Sequence, residues 1–243
     1  MTENKIHIGT SGWHYDHWKG NFYPKELKDS GLFSYYGKYF STVEINNSFY
    51  RLPSAETFVD WKKASPEKFV FSVKANRYLT HMKKLKVDKP AIQKFFTSIE
   101  KLKEKLGAIL FQLPPHWKIN AERLDAFISV LPGDHRYTFE FRDHTWYHQE
   151  IYDILKKHQS AFCIYELEHQ VSPMEITTDL VYIRLHGPGE KYQGSYTDKN
   201  LKQWAKKIIA WKKEGKTIYV YFDNDQNGCA PLNAKKLIGY IEK

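Results

Sequence analysis

The feature that most constrains this chain is a recurrence. Eight short runs rich in β-branched and aromatic residues lie at 6–9, 42–46, 69–74, 108–113, 137–141, 161–165, 180–186 and 217–222. Helix-like stretches lie between them at 32–40, 55–63, 91–105, 121–131, 148–158 and 201–213, and one at 234–241 follows the last run. Strands separated by helices run parallel, because each helix returns the chain to the end where the previous strand began. Ser54, Asn120 and Asp198 stand where N-caps belong, and Gly215 stands where a helix ends in the left-handed region. The segment 166–179 carries Pro173 and no clear apolar stripe, so a loop or an abbreviated helix is expected there. Eight such units in 243 residues, with no linker or sequence repeat, predict one α/β domain over 1–243. Its fold is expected to be a single (β/α)8 TIM-type barrel, with the helix after strand 6 abbreviated or missing. A doubly wound open sheet is the alternative, since a strand count does not report closure.

A strand covered on both faces should read as a continuous apolar run. Four of these runs instead finish on two polar residues spaced i, i+2: Glu44 with Asn46, Ser72 with Lys74, Glu140 with Arg142, and Arg184 with His186. The residues between them are Ile45, Val73, Phe141 and Leu185, so one face stays apolar while the other becomes polar. The polar members are expected to point into the barrel at its C-terminal end, where barrel enzymes keep their chemistry. Gln112, Glu166, Asp223 and Asn224 come at the equivalent place in their own strands. Four of the six arginines, Arg51, Arg77, Arg142 and Arg184, lie at or just past strand ends. Their planar forks suit carboxylate or phosphate. A plug of mutually neutralised charges would give the same pattern without any chemistry.

Composition narrows the function classes. The net charge of +9 comes from 31 lysines and six arginines against 28 acidic residues. Many lysines flank an apolar stripe, as in 198–215, where Leu201, Trp204, Ile208 and Trp211 share one face and Lys202, Lys206, Lys207, Lys212 and Lys213 the rest. That pattern predicts a solvated helix face rather than a polyanion site. No apolar run approaches the ~18 residues of a membrane span. The opening residues show no apolar leader, and Cys163 and Cys229 lack metal-site spacing. A cytoplasmic protein with two free thiols is expected.

Seven segments carry a family likeness: GTSGWHYDHWKGNFYP (9–24), VEINNSFYRLPSAETFVDW (43–61), FSVKANRYLTHMKKL (71–85), LFQLPP (110–115), FEFRDHTW (139–146), YIRLHG (182–187) and VYFDNDQNGCAPLNA (220–234). In this order they resemble the YecE-like family, domain of unknown function 72, over nearly the whole chain. The resemblance implies a TIM-type barrel and no established reaction. Cys229 stands where the family leads one to expect a small residue such as alanine.

Several motifs bear on ligands. Asp223-Asn-Asp225-Gln-Asn227-Gly228 matches the first half of a calcium loop, but Ala234 replaces the required glutamate and a strand precedes it. Glu44, Glu140, His186 and Asp223 have donor chemistry for a divalent metal, although no histidine pair has ligand spacing; the sequence requires no cofactor. Backbone N–H groups of the His186-Gly187-Pro188-Gly189 turn, and of the turn after strand eight, stand where barrels often bind phosphate. Trp13, Tyr15, Trp18, Phe22 and Tyr23 crowd the first loop, and Phe49 and Tyr50 follow strand two; Phe22 and Phe49 are expected in the core, and the others offer a stacking wall for a sugar or base.

The expected function is an enzyme, a hydrolase among the candidates, acting by acid–base chemistry on an anionic or polyhydroxylated substrate such as a phosphate ester or nucleic-acid component. Glu44, Glu140, His186 and Asp223 are the expected catalytic set, with Glu140 or Asp223 as base and His186 as acid. Lys74, Arg142 and Arg184 are expected to stabilise charge, and Trp13, Asn46, Tyr50, Arg77, Gln112, Gly187 and Asn224 to bind substrate. The anion is expected beside Arg184, with Asp223 turned toward Arg142, Lys74 or water. The alternative is a non-catalytic barrel that binds a phosphorylated ligand or nucleic acid at the same mouth. Neither reading involves a membrane, and the sequence does not set the oligomeric state.

Overall fold

A computed structural model describes residues 5–242; residues 1–4, part of the segment read for a leader, lie outside that range. Eight parallel strands run β1 Ile6–Thr10, β2 Thr42–Ile45, β3 Val70–Lys74, β4 Leu106–Gln112, β5 Arg136–Glu140, β6 Ala161–Leu167, β7 Leu180–Leu185 and β8 Thr217–Phe222. Each pairs with its sequence neighbour from β2 to β8, and β8 pairs with β1. Seven helices of two turns or more surround them: α1 Asp29–Tyr36, α2 Ala55–Ala64, α3 Lys89–Ile99, α4 Ala121–Ser129, α5 Gln149–Lys157, α6 Asp198–Lys213 and α7 Cys229–Ile241. The expected barrel is present and nearly closed.

Local chemistry explains most helix boundaries. Ser54 Oγ accepts from Thr57 N and Asn120 Oδ1 from Arg123 N, as N-caps do. At α6 the cap is Thr197, whose side chain accepts from Asn200 N; Asp198, expected as the cap, is instead the first helical residue. Helix α7 starts earlier than its apolar pattern, because Gly228 (φ +67°) turns the chain and Pro231 fits the first turn. After β6 there is no helix. The two residues Gln170–Val171 fold back antiparallel on β6, and the side chains of Ser172 and Thr177 accept from Tyr165 N and Phe162 N.

The strands separate two cores. Ala108, Leu110, Ala161, Cys163, Tyr182, Tyr219 and Tyr221 pack together inside the barrel. Residues of opposite parity, such as Ile109, Phe111, Phe139, Ile164, Ile183 and Val220, pack outward with Leu201, Ile208 and Leu237 of the helices. Each fully buried aliphatic or aromatic side chain contributes about 2 kcal/mol through area removed from water.

Between β1 and β2 the backbone ladder is reduced to one bridge, Ser11 to Glu44. The hydroxyl of Tyr36, reaching in from α1, fills the gap. It accepts from Thr10 N (3.0 Å) and donates to Thr42 O (3.0 Å). Gly9 is required here, since a Cβ would meet Thr42 O at 2.3 Å.

At the N-terminal end, His7 lies flat on Tyr219, with ring centroids 4.6 Å apart, and Arg136 and Thr138 come from β5. His7 Nδ1, Arg136 Nη1 and Thr138 Oγ1 are buried without a hydrogen-bond partner. A cleft of about 990 Å³ opens at this end beside His7, Phe40, Val70 and Ile238.

Candidate active site at the C-terminal mouth

The inward face of β7 presents Tyr182, Arg184 and His186 in succession, and Arg184 organises what surrounds them. Its guanidinium has five N–H groups, and all are engaged. Nε and Nη2 donate to Glu44 (2.8–3.1 Å), Nη2 also to Asp223 Oδ2 (3.0 Å), and Nη1 to Glu140 Oε2 (2.9 Å) and His186 Nε2 (3.3 Å). Glu44 also accepts from Ser11 Oγ (2.7 Å) and the Tyr182 hydroxyl (2.6 Å). Arg184, Glu44 and Glu140 are fully buried, which is tolerable only because each charge is matched.

Arg142 continues the network. Its Nε donates to Glu140 Oε1, its Nη2 lies 2.8 Å from His186 Nε2, and its guanidinium stacks 4.6 Å from the Tyr165 ring centroid. Arginine can only donate, so His186 Nε2 is the acceptor, which leaves the proton on Nδ1. That N–H donates to Asp223 Oδ2 (3.0 Å). The Tyr192 ring packs edge-on against His186, 5.4 Å away.

The electrostatics sort these groups. Burial, then the charges of Arg142 and Arg184, push His186 well below the usual histidine range, so it is neutral at pH 7. Expected as the acid, it is here a neutral ring whose one N–H is committed to Asp223. Burial would raise Glu140, but Arg142 and Arg184 outweigh it and hold the carboxyl well below the usual carboxylate range. Glu140 is therefore held as an anion, and of the two expected bases, Glu140 and Asp223, it is the weaker. Asp223 moves the other way: burial raises it despite Arg184, Lys74 and Arg142. Burial, then Arg184, lowers Lys74 to about 8. Lys74 Nζ makes no ion pair or hydrogen bond among the described residues and lies over the Phe49 ring at 4.4 Å. Three atoms of this set stay uncommitted to other described side chains: Asp223 Oδ1, Lys74 Nζ and Arg142 Nη1.

Other expected site residues divide. Asn46 and Gln112 share the inward parity of Glu44 and Leu110, and Asn46 Oδ1 is buried with no partner. Arg184, expected to bind an anion, has no N–H to offer one, and Asp223 Oδ2 pairs with Arg184 and His186 rather than with Arg142 or Lys74. Gly187 has φ +118° and a Cβ would meet Gln193 O at 2.2 Å, but its N–H donates to the Tyr196 hydroxyl, so it is not free for phosphate. Asn224 and Glu166 have the wrong parity. Asn224 Nδ2 donates to Asn233 Oδ1 and Gly194 O, and Glu166 accepts from Trp204 Nε1, both on the helix side. Trp13 is wedged against Phe33 and Trp61, while Tyr50 and Arg77 are exposed beyond the cluster. The aromatic loop is mostly core rather than a wall, with Trp18 fully buried and its Nε1 held by Asp225. Phe22 is buried as expected.

Sequence reasoning missed Tyr165, Tyr182, Tyr192 and Ser11. The first two were detectable, since Tyr182 extends the Arg184–His186 parity backwards and Tyr165 lies two residues past inward-facing Cys163. Among the described residues no group of three or more His, Cys, Asp or Glu side chains is placed to hold a metal ion, because the two arginines stand between the expected donors. Among the same residues no helix is long and apolar enough to cross a membrane.

Comparisons with known proteins show the family and the fold. The family model described as "Protein of unknown function DUF72" matches residues 7–243. UPF0759 protein YunF of Bacillus subtilis (strain 168) is 24% identical over 271 residues, spanning 98% of this chain and 95% of that protein. The crystal structure of a DUF72 family protein from Thermotoga maritima superposes with a TM-score of 0.89 at 30% identity, covering 98% of this chain and 99% of the other. One from Enterococcus faecalis V583 gives a TM-score of 0.83 at 20% identity, covering 98% and 96%.

Proposed function

The chain belongs to the DUF72 family, and we propose that its barrel mouth is an active site for acid–base chemistry on a small anionic substrate, a phosphate ester being the simplest class. One observation carries this reading: the mouth keeps one carboxylate oxygen and two cationic nitrogens uncommitted, while every other charge is spent on the network. Asp223 Oδ1 is the base, oriented through Oδ2 by Arg184 and by the neutral His186. Lys74 and Arg142 take the anionic group, and the unpartnered Asn46 Oδ1 accepts from a substrate hydroxyl. The two unpaired cysteines accord with a reducing, cytoplasmic setting.

The test pairs binding with turnover. Inorganic phosphate at about 100 times its dissociation constant should stabilise the protein by roughly 2.7 kcal/mol, read as a thermal shift. Lys74→Met should lose that increment, whereas Asp223→Asn should keep it. A panel of phosphate monoesters should be turned over by the parent and at least about 100-fold more slowly by Asp223→Asn. Phosphate binding without turnover of any ester would favour the non-catalytic reading. A phosphate response equal in parent and Lys74→Met would remove this mouth as the anion site.

A further inference from the structure

We propose that Lys74 is a nucleophile, its amine condensing with a small aldehyde or ketone to form an imine at the barrel mouth. This rests on the mouth being an active site and deepens that reading by naming a carbonyl, beside the anionic group, as what the substrate presents there.

Geometry carries the inference. Lys74 closes β3, and its amine lies over an aromatic ring at 4.4 Å, not against a carboxylate. A cation placed beside two fully buried carboxylates, Glu44 and Glu140, and the partly exposed Asp223 would be expected to join one of them. Here both glutamates are engaged by Arg142 and Arg184, and the amine makes no ion pair with Asp223, whose Oδ1 stays open as a proton acceptor. An amine desolvated next to another cationic group is the arrangement that activates lysine for carbonyl chemistry. The nearby Arg184 charge and burial lower Lys74 to about 8, so at pH 7 it holds on the order of 100-fold more neutral amine than an ordinary lysine. Asp223 and Glu140 oppose that shift, and Glu44 does so more weakly.

The step balances within the site. The ammonium first gives a proton to Asp223 Oδ1, and the freed nitrogen pair attacks the carbonyl carbon. An N–C bond forms as the carbonyl π pair moves to oxygen. Nitrogen sheds a second proton, and the carbinolamine oxygen leaves with both as water when the C=N bond forms. Lys74 ends as a protonated imine with one hydrogen on nitrogen, and Asp223 returns to carboxylate. No oxidant or reductant takes part.

The experiment uses the full chain with glyoxylate as an anionic aldehyde, trapped by cyanoborohydride at neutral pH and mapped by peptide mass spectrometry. The reduced adduct should build up on the peptide carrying Lys74 at least tenfold faster than on the peptides of Lys206, Lys207 and Lys212, which are exposed on α6. Lys74→Arg should lose that adduct while keeping its phosphate-induced thermal shift, since the cation remains. Labelling spread evenly over surface lysines would overturn the nucleophile assignment and leave the anion site standing. Loss of both the adduct and the phosphate response in a folded Lys74→Arg protein would show that the lysine only shapes the mouth, and would overturn the assignment as well.

Discussion

The two ends of the barrel each bury a histidine, and they handle it in opposite ways. At the mouth, His186 has both ring nitrogens engaged, with Asp223 on one side and two arginines on the other. At the floor, His7 is stacked on Tyr219 with Nδ1 unpartnered, beside Arg136 Nη1 and Thr138 Oγ1, which are unpartnered too. Burial keeps both rings neutral, helped by nearby cations. The mouth is therefore a connected network of charges around Arg184, which leaves open only a few atoms at its rim. The floor holds three buried polar atoms that no other described residue satisfies, with only Arg136 tied further, through Nη2, to Asp179. A connected network gives a fixed geometry, which is what chemistry needs; isolated groups specify little.

The sharpest way to break this contrast is to remove the hub. Arg184→Met leaves the buried Glu44 and Glu140, and the partly exposed Asp223, without their shared cation, and should cost about 3–5 kcal/mol in urea unfolding. A loss below about 1 kcal/mol would mean the network is not interdependent. Acid titration comes next. His7 is lowered from 6.5 to about 4 by burial, with Lys5 and Arg136 adding to it. Between those values the unfolded chain holds a proton that the folded one does not. The stability is therefore present above pH 6.5 and is lost as pH falls toward about 4, by up to roughly 3 kcal/mol. His7→Phe preserves the stack on Tyr219 and should remove that part of the acid limb; coincident limbs in variant and parent would refute the floor's role. The smallest effect is expected at Thr138→Val. Its hydroxyl is buried without a partner, so the change should be neutral or stabilising by up to about 1 kcal/mol. A clear loss of stability would show that the floor, like the mouth, is satisfied.

Much of this was legible in the sequence, because strand parity is a strict rule. The i, i+2 pairs found Glu44, Lys74, Glu140, Arg142, Arg184 and His186 before any coordinates, and the structure gathers all six. The same rule identifies the error at Asn224 and Glu166, which sit one residue out of phase with inward Asp223 and Tyr165. Roles were harder to read than places. Which carboxylate is spent and which is open depends on the reach of Arg184, which crosses from β7 to partners 140 and 44 residues away in sequence. Nothing local in Arg184 or Glu140 encodes that pairing. The same holds for the capping residue of α6, where Thr197 and Asp198 are both good caps and the backbone decides between them.

The Tyr36 hydroxyl between β1 and β2 makes closure of the barrel depend on a helix. Backbone pairing runs from β2 through β8 to β1, and it ends at two strands that meet mainly through a phenol on a helix. The cylinder therefore cannot be sealed by strand pairing alone. Tyr36 on α1 bridges the seam, so the packing of the first helix and the last contact of the sheet are tied together. Glu44 lies just above that seam, and its position is fixed through the Ser11 bridge. The charged network at the mouth thus shares Glu44 with the seam, so loosening the seam loosens the anchoring of that carboxylate.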